Sequence, residues 1–112
     1  MPFYNYKLQK EVAPLREREV EAHLRRCVEQ AGGRCEKFIP DNDAGMPDRI
    51  VMLPCGILVW VETKKPKGGK VSSLQREQHR RLRALGQRVE VVWTKEEADA
   101  LLEELAPSRG PA

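Results

Sequence analysis

The sequence is poor in the features that staple, anchor or export a small protein. Its three cysteines, Cys27, Cys35 and Cys55, are widely spaced, form no CxxC pair and have only two histidines, His23 and His79, to join them. That pattern supports neither a disulfide framework nor a zinc site, and the cysteines read as small buried side chains. Aromatic residues make up 5% of the chain, and the longest apolar run, from Ile57 to Val61, has five residues. A bilayer crossing needs about 20, so a membrane span is excluded. The first ten residues mix aromatic and charged side chains without an apolar h-region or a small-residue cleavage site. Nothing there marks the chain for export, and a cytoplasmic location is expected.

What remains is a charged, soluble-type composition in 112 residues, 40% apolar and 33% charged, which fits one small domain around one core. The net charge of +3 is unevenly spread. Between Glu62 and Arg88 there are nine basic residues against two acids, a local +7, so the rest of the chain carries −4. A basic block on an acidic body attracts polyanions, although such runs also occur as plain solvated helix faces.

Pro14 and the pair Gly32-Gly33 predict a helix from Leu15 to Ala31. At roughly 100° per residue, Val20, Leu24, Val28 and Ala31 fall within about 60° of Glu17, which places this acid inside the apolar stripe. Glu21 lies about 40° away, at the stripe's edge, whereas Glu19 points to solvent. A short strand is expected over Arg34–Ile39, then a loop of turn formers from Pro40 to Pro47. Asp48–Leu53 and Ile57–Lys64 read as a β-hairpin joined by Pro54-Cys55-Gly56, the second strand lying mid-sheet and covered on both faces. KPKGGK, residues 65–70, is expected to be a flexible basic loop. Ser72 with Gln75 forms a capping box for a helix bearing Leu74, Gln78, Leu82 and Leu85 on one side. Val89–Trp93 is a strand, and Thr94 with Glu97 is a second capping box for a helix carrying Ala98, Leu101, Leu102 and Leu105. The order α-β-β-β-α-β-α argues an α/β or α+β sandwich around a mixed sheet.

If Leu53 pairs with Ile57, antiparallel partners sum to 110 and Asp48 falls opposite Glu62. Like charges so placed are destabilising unless something offsets them. A divalent cation does so, because two carboxylates, a backbone carbonyl and waters make the hard oxygen shell that Mg²⁺ accepts. Lys64, on the same face as Glu62, would orient the attacking water and stabilise developing negative charge, giving metal-assisted phosphodiester hydrolysis. The plain alternative is a strand end with a salt bridge.

Gly45-Met46-Pro47-Asp48, Glu62-Thr63-Lys64 and the helix residue Gln75 together resemble the PD-(D/E)XK nuclease superfamily. More narrowly, the segment from about Arg16 to Leu102 resembles the small stand-alone virus-type replication-repair nuclease (VRR-NUC) proteins, including Glu17-Arg-Glu-Val-Glu21, Gly32-Gly33, Val59-Trp-Val-Glu-Thr-Lys64 and Leu85-Gly86. The resemblance implies an α/β restriction-endonuclease-like core with a mixed central sheet flanked by helices. It divides the chain into an N-terminal extension (1–13), a nuclease domain (14–105) and a flexible tail (106–112). It further implies a Mg²⁺- or Mn²⁺-dependent endonuclease acting on branched DNA such as four-way (Holliday) junctions, a homodimer in a bacterial or phage-encoded context, with no organic cofactor and no membrane partner. By position, Asp48 and Glu62 are metal ligands, Thr63 gives its backbone carbonyl, Lys64 is the catalytic lysine and Gln75 lies near the metal-bound water or a phosphate. Glu17 is the helix acid, directly or through water, with Glu21 as the alternative. Lys65, Lys67, Lys70, Arg76 and Arg80 are taken as phosphate contacts. Phe3, Tyr4 and Tyr6 would serve either a dimer interface or base stacking. A flap or nicking endonuclease and a non-catalytic DNA-binding module on the same fold are the competing readings.

Overall fold

The computed structural model describes residues 16–107. The expected 1–13 extension with its aromatic residues, Pro14, Leu15 and tail residues 108–112 lie outside the described residues. The elements run α1 (Glu17–Gln30), β1 (Arg34–Lys37), β2 (Arg49–Leu53), β3 (Ile57–Thr63), α2 (Ser73–Ala84), β4 (Arg88–Val92) and α3 (Lys95–Leu105), with a one-turn 3₁₀ helix at Pro54–Gly56 closing the hairpin. They form one mixed sheet in the order β1-β2-β3-β4, antiparallel except for the parallel pair β3/β4. The hairpin register is the expected one, from Leu53↔Ile57 to Arg49↔Val61.

The apolar stripe of α1 does what its spacing predicts: Val20, Leu24 and Val28 are completely buried. They join Val51, Val59, Val61, Val92, Ala98, Leu101 and Leu102 in one core, so α1 and α3 pack together on one face of the sheet. Removing a buried leucine such as Leu24 from a core of this kind costs about 2–5 kcal/mol. The opposite face is covered only in part. Leu82 and Val89 are buried where α2 lies against β4, but Leu58 is 42% exposed. The expectation that β3 is covered on both faces is therefore corrected: one helix cannot roof four strands, and the N-terminal half of β3 stays open on that side.

Other local expectations shift for similar reasons. The first strand stops at Lys37, and Ile39 projects to solvent at 76% exposure. On α2 the buried side is Gln78, His79 and Leu82, while Leu74 and Leu85 are exposed. That helix turns a half-polar face inward because it covers the charged end of β3. Its capping box is present, with Ser72 and Gln75 exchanging bonds of 2.9 and 3.0 Å. At α3 only half of the box forms: Thr94 Oγ1 accepts from Glu97 N, but Glu97 reaches past it to Trp93 N at 2.7 Å. Of the cysteines only Cys35 is buried; Cys27 is partly exposed, and Cys55 is exposed at the hairpin tip. Among the described residues no helix is long and apolar enough to cross a membrane.

Candidate active site

Alternation along β3 divides its last residues between the two helical layers, Thr63 toward α1 and Glu62 toward α2. Thr63 is fully buried, and its N–H donates to Asp48 Oδ1 at 3.1 Å. Its Oγ1 lies 2.9 Å from Asp48 Oδ2 and 3.2 Å from Glu21 Oε2, so a single hydroxyl proton serves two carboxylates. The first turns of α1 bring Glu17 and Glu21 to the same place, and oxygens of Glu17, Glu21 and Asp48 all lie within 4.8 Å of one another. Burial raises the pKa of Asp48; the two Thr63 hydrogen bonds oppose the rise and Glu21 adds to it. Arg49 offsets part of this negative charge, its guanidinium 3.4 Å from Glu21 Oε1.

Asp48 thus does not face Glu62 across the hairpin as expected. The strand pairing ends at Arg49↔Val61, and Asp48 occupies a bend after the buried Pro47. Directly opposed carboxylates repel, whereas this bend gives Asp48 two donors from Thr63. The loop that carries it is pinned to α2. Gly45 has φ +88°, and a Cβ there would sit 2.9 Å from Leu74 Cγ and 3.0 Å from Leu74 O. Gln78 Nε2 also donates to Ala44 O at 3.1 Å.

Glu62 is 4% exposed. Its Oε2 accepts from Gln75 Nε2 at 3.2 Å and lies 3.7 Å from Lys64 Nζ. Its Oε1 faces His79 Nε2 at 3.7 Å, beyond hydrogen-bond reach, and both atoms are buried without a hydrogen-bond partner. Burial, with the charges of Asp48 and Glu17, pushes Glu62 up to about 7 despite Lys64. Burial, with Arg83 and Lys64 nearby, lowers the pKa of His79, which favours the neutral ring; the contact with Glu62 is then not an ion pair. Gln75 forms the expected capping box, its Oε1 accepting from Ser72 N, while its Nε2 donates to Glu62 Oε2.

The donor set fits a divalent cation. Asp48, Glu17 and Glu21 bring carboxylate oxygens together, the ligand type that hard cations take, and Glu62 Oε1, outside that group, is a buried acceptor without a hydrogen-bond partner. Two residues at this site, Arg49 and His79, were not among the sequence candidates, and Thr63, expected to act through its backbone carbonyl, also engages through its hydroxyl. His79 carried a usable signal, since it follows Gln75 by four residues and therefore shares its helix face.

The basic residues follow β3 in the chain and continue onto α2. KPKGGK is a tight turn rather than a loose loop, because a Cβ on Gly69 would meet Lys65 O at 2.4 Å and Trp93 at 3.2 Å. It leaves Lys65, Lys67 and Lys70 exposed. Arg76 is exposed and donates to Val71 O, whereas Arg80 is engaged by Glu77 at 2.6 and 3.0 Å.

Comparison with known proteins decides the family. No protein-family model matches the chain. A solved structure described as a VRR_NUC domain superposes with a TM-score of 0.73 at 33% identity, covering 78% of this chain and 94% of that one. The chain belongs to the VRR-NUC family. It is also 42% identical over 78 residues to "Putative nuclease p44" of Acyrthosiphon pisum secondary endosymbiont phage 1, a match spanning 70% of this chain and 83% of that protein. Its mixed sheet flanked by three helices is the VRR-NUC nuclease fold, and nuclease activity is the function this membership supports.

Proposed function

We propose that this VRR-NUC protein is a Mg²⁺- or Mn²⁺-dependent endodeoxyribonuclease that hydrolyses phosphodiester bonds in branched DNA, four-way junctions above all, and works as a homodimer in a bacterial or phage setting. The observation that carries this reading is Glu62: buried, held by Gln75, beside Lys64, and with one oxygen lacking a hydrogen-bond partner. Asp48 and Glu62 would hold the cation, with the Thr63 backbone carbonyl and, from α1, Glu17 directly or through water. Glu21 is the stronger α1 candidate on one count, since it already contacts Thr63. When bound, the cation supplies Lewis-acid polarisation of the scissile phosphate.

The chain's own groups do the rest. Lys64 Nζ, 3.7 Å from Glu62, holds a positive charge at the buried end of β3, where it orients the attacking water and stabilises charge developing on the phosphate. Gln75 fixes the orientation of Glu62 through its amide. His79 closes the inner wall and excludes water from behind that carboxylate. Lys65, Lys67, Lys70 and Arg76 seat the DNA backbone without reading sequence. Arg80 contributes less than expected, because Glu77 occupies its guanidinium.

The test is cleavage of labelled four-way junction, flap, fork and duplex DNA by wild type, Lys64→Ala and Asp48→Asn, with folding checked by circular dichroism. The reading predicts loss of cutting by both folded variants, on the order of 10²-fold or more. Folded Lys64→Ala cutting at the wild-type rate would overturn it, strict preference for flaps would replace the junction assignment, and absence of cutting with either metal would favour a DNA-binding module.

A further inference from the structure

From the middle of α1 toward its C-terminal end, the fold assembles a second polar cluster that neither the cysteine spacing nor the nuclease reading accounts for. His23 and Cys27 stand one helical turn apart on α1, and α3 delivers Asp99 between them. His23 Nε2 lies 2.7 Å from Asp99 Oδ1, Cys27 Sγ lies 3.3 Å from the same oxygen, and Cys27 Sγ lies 3.5 Å from His23 Nε2. The His23 side chain is 23% exposed and that of Asp99 58% exposed. Cys27 and Asp99 also line a cavity of about 530 Å³ that Cys55, Leu102 and Glu103 share.

These distances nearly match those of a metal tetrahedron. With bonds of roughly 2.0 Å to nitrogen or oxygen and 2.3 Å to sulfur, adjacent ligand atoms stand about 3.3–3.6 Å apart. Two of the three observed edges lie near that range, and the third, a His–Asp hydrogen bond, needs to open by only about 0.6 Å. One nitrogen, one sulfur and one oxygen donor suit a borderline transition cation. They do not suit Mg²⁺, which takes oxygen ligands. The cavity has room for a water to complete four-coordination. We propose that His23, Cys27 and Asp99 form a Zn²⁺ site, separate from the nuclease centre, that clamps α3 onto α1. Zinc takes His23 through Nε2, one Asp99 oxygen and the Cys27 sulfur; the S–H bond breaks and its proton leaves to solvent.

The test is a Co²⁺ titration of the full chain in excess Mg²⁺, which occupies oxygen-only sites, followed by Zn²⁺ displacement. The site predicts one cobalt per chain, a thiolate-to-cobalt charge-transfer band and intense tetrahedral d–d absorption, all abolished by Zn²⁺. Cys27→Ser should remove the charge-transfer band, and Asp99→Asn, an exposed change that leaves the core intact, should weaken binding on the order of tenfold or more. Cys55→Ser should change neither. Zn²⁺ should also raise the melting temperature of wild type more than that of Asp99→Asn. Weak octahedral absorption alone, a charge-transfer band that survives Cys27→Ser, or one that Cys55→Ser removes would overturn the proposal. The cluster would then be a hydrogen-bonded brace between the two helices.

Discussion

Glu62 is the residue on which the chemistry and the stability of the chain meet. Its carboxyl titrates at about 7 in the fold against an ordinary 4.5, so the metal-free folded chain holds this proton more tightly than the unfolded chain does. The stabilisation is complete below about 4.5 and is lost as pH rises toward 7, an effect on the order of 3 kcal/mol to which Asp48, shifted the same way, adds. Urea unfolding in EDTA across that window should show stability falling with pH in wild type and a flatter profile in Glu62→Gln; identical slopes would refute the assignment. Gln75 allows its two roles to be separated. Gln75→Glu keeps an acceptor for Ser72 N but replaces the donor to Glu62 with a second carboxylate, so cutting should fall while the helix cap survives. Ser72→Ala should cost about 1 kcal/mol with cutting at saturating metal largely kept. Thermal melts and junction cleavage assays on the two variants check this.

At the scale of elements, the site depends on loops and helices being held against the end of β3. Gly45 tests that directly. Alanine there would adopt φ +88° and press on Leu74 of α2, which should cost about 1–3 kcal/mol and lower cutting by displacing Asp48. Denaturant melts alongside metal titration of activity would show both losses, and an unperturbed variant would mean that the loop is not pinned. Elements set by local chemistry were legible in the sequence. The 3.6-residue stripe of Val20, Leu24 and Val28 gave α1, Ser72 and Gln75 gave the start of α2, and the three-residue connection gave the hairpin register. What was not legible depends on residues far apart in the chain. Asp48 turns to Thr63 and Glu21 because α1 packs against that end of the sheet, and His79 is buried because α2 lies over Glu62. Asp99 meets His23 and Cys27 only because α3 docks on α1.

For the whole molecule, the modest net charge hides a division of labour. Glu17 and Glu21 of α1 gather with the Asp48 bend on one side of the end of β3, Glu62 is buried toward α2, and the exposed lysines of residues 65–70 follow directly in the chain. If those lysines hold phosphates, replacing Lys65, Lys67 and Lys70 together with alanine should reduce the slope of log affinity against log salt by roughly 2–3; an unchanged slope would move the DNA path elsewhere. Two symmetric cuts require two sites, and the described residues supply one candidate nuclease site per chain, so light scattering should find a dimer on junction DNA. The most direct test of the account is the cleavage map of a four-way junction with Mg²⁺, with Mn²⁺ and with EDTA. Paired cuts at symmetric positions with either metal, absent in EDTA and in Lys64→Ala, are the predicted result. Cutting that persists in EDTA, or in folded Lys64→Ala at the wild-type rate, would contradict it.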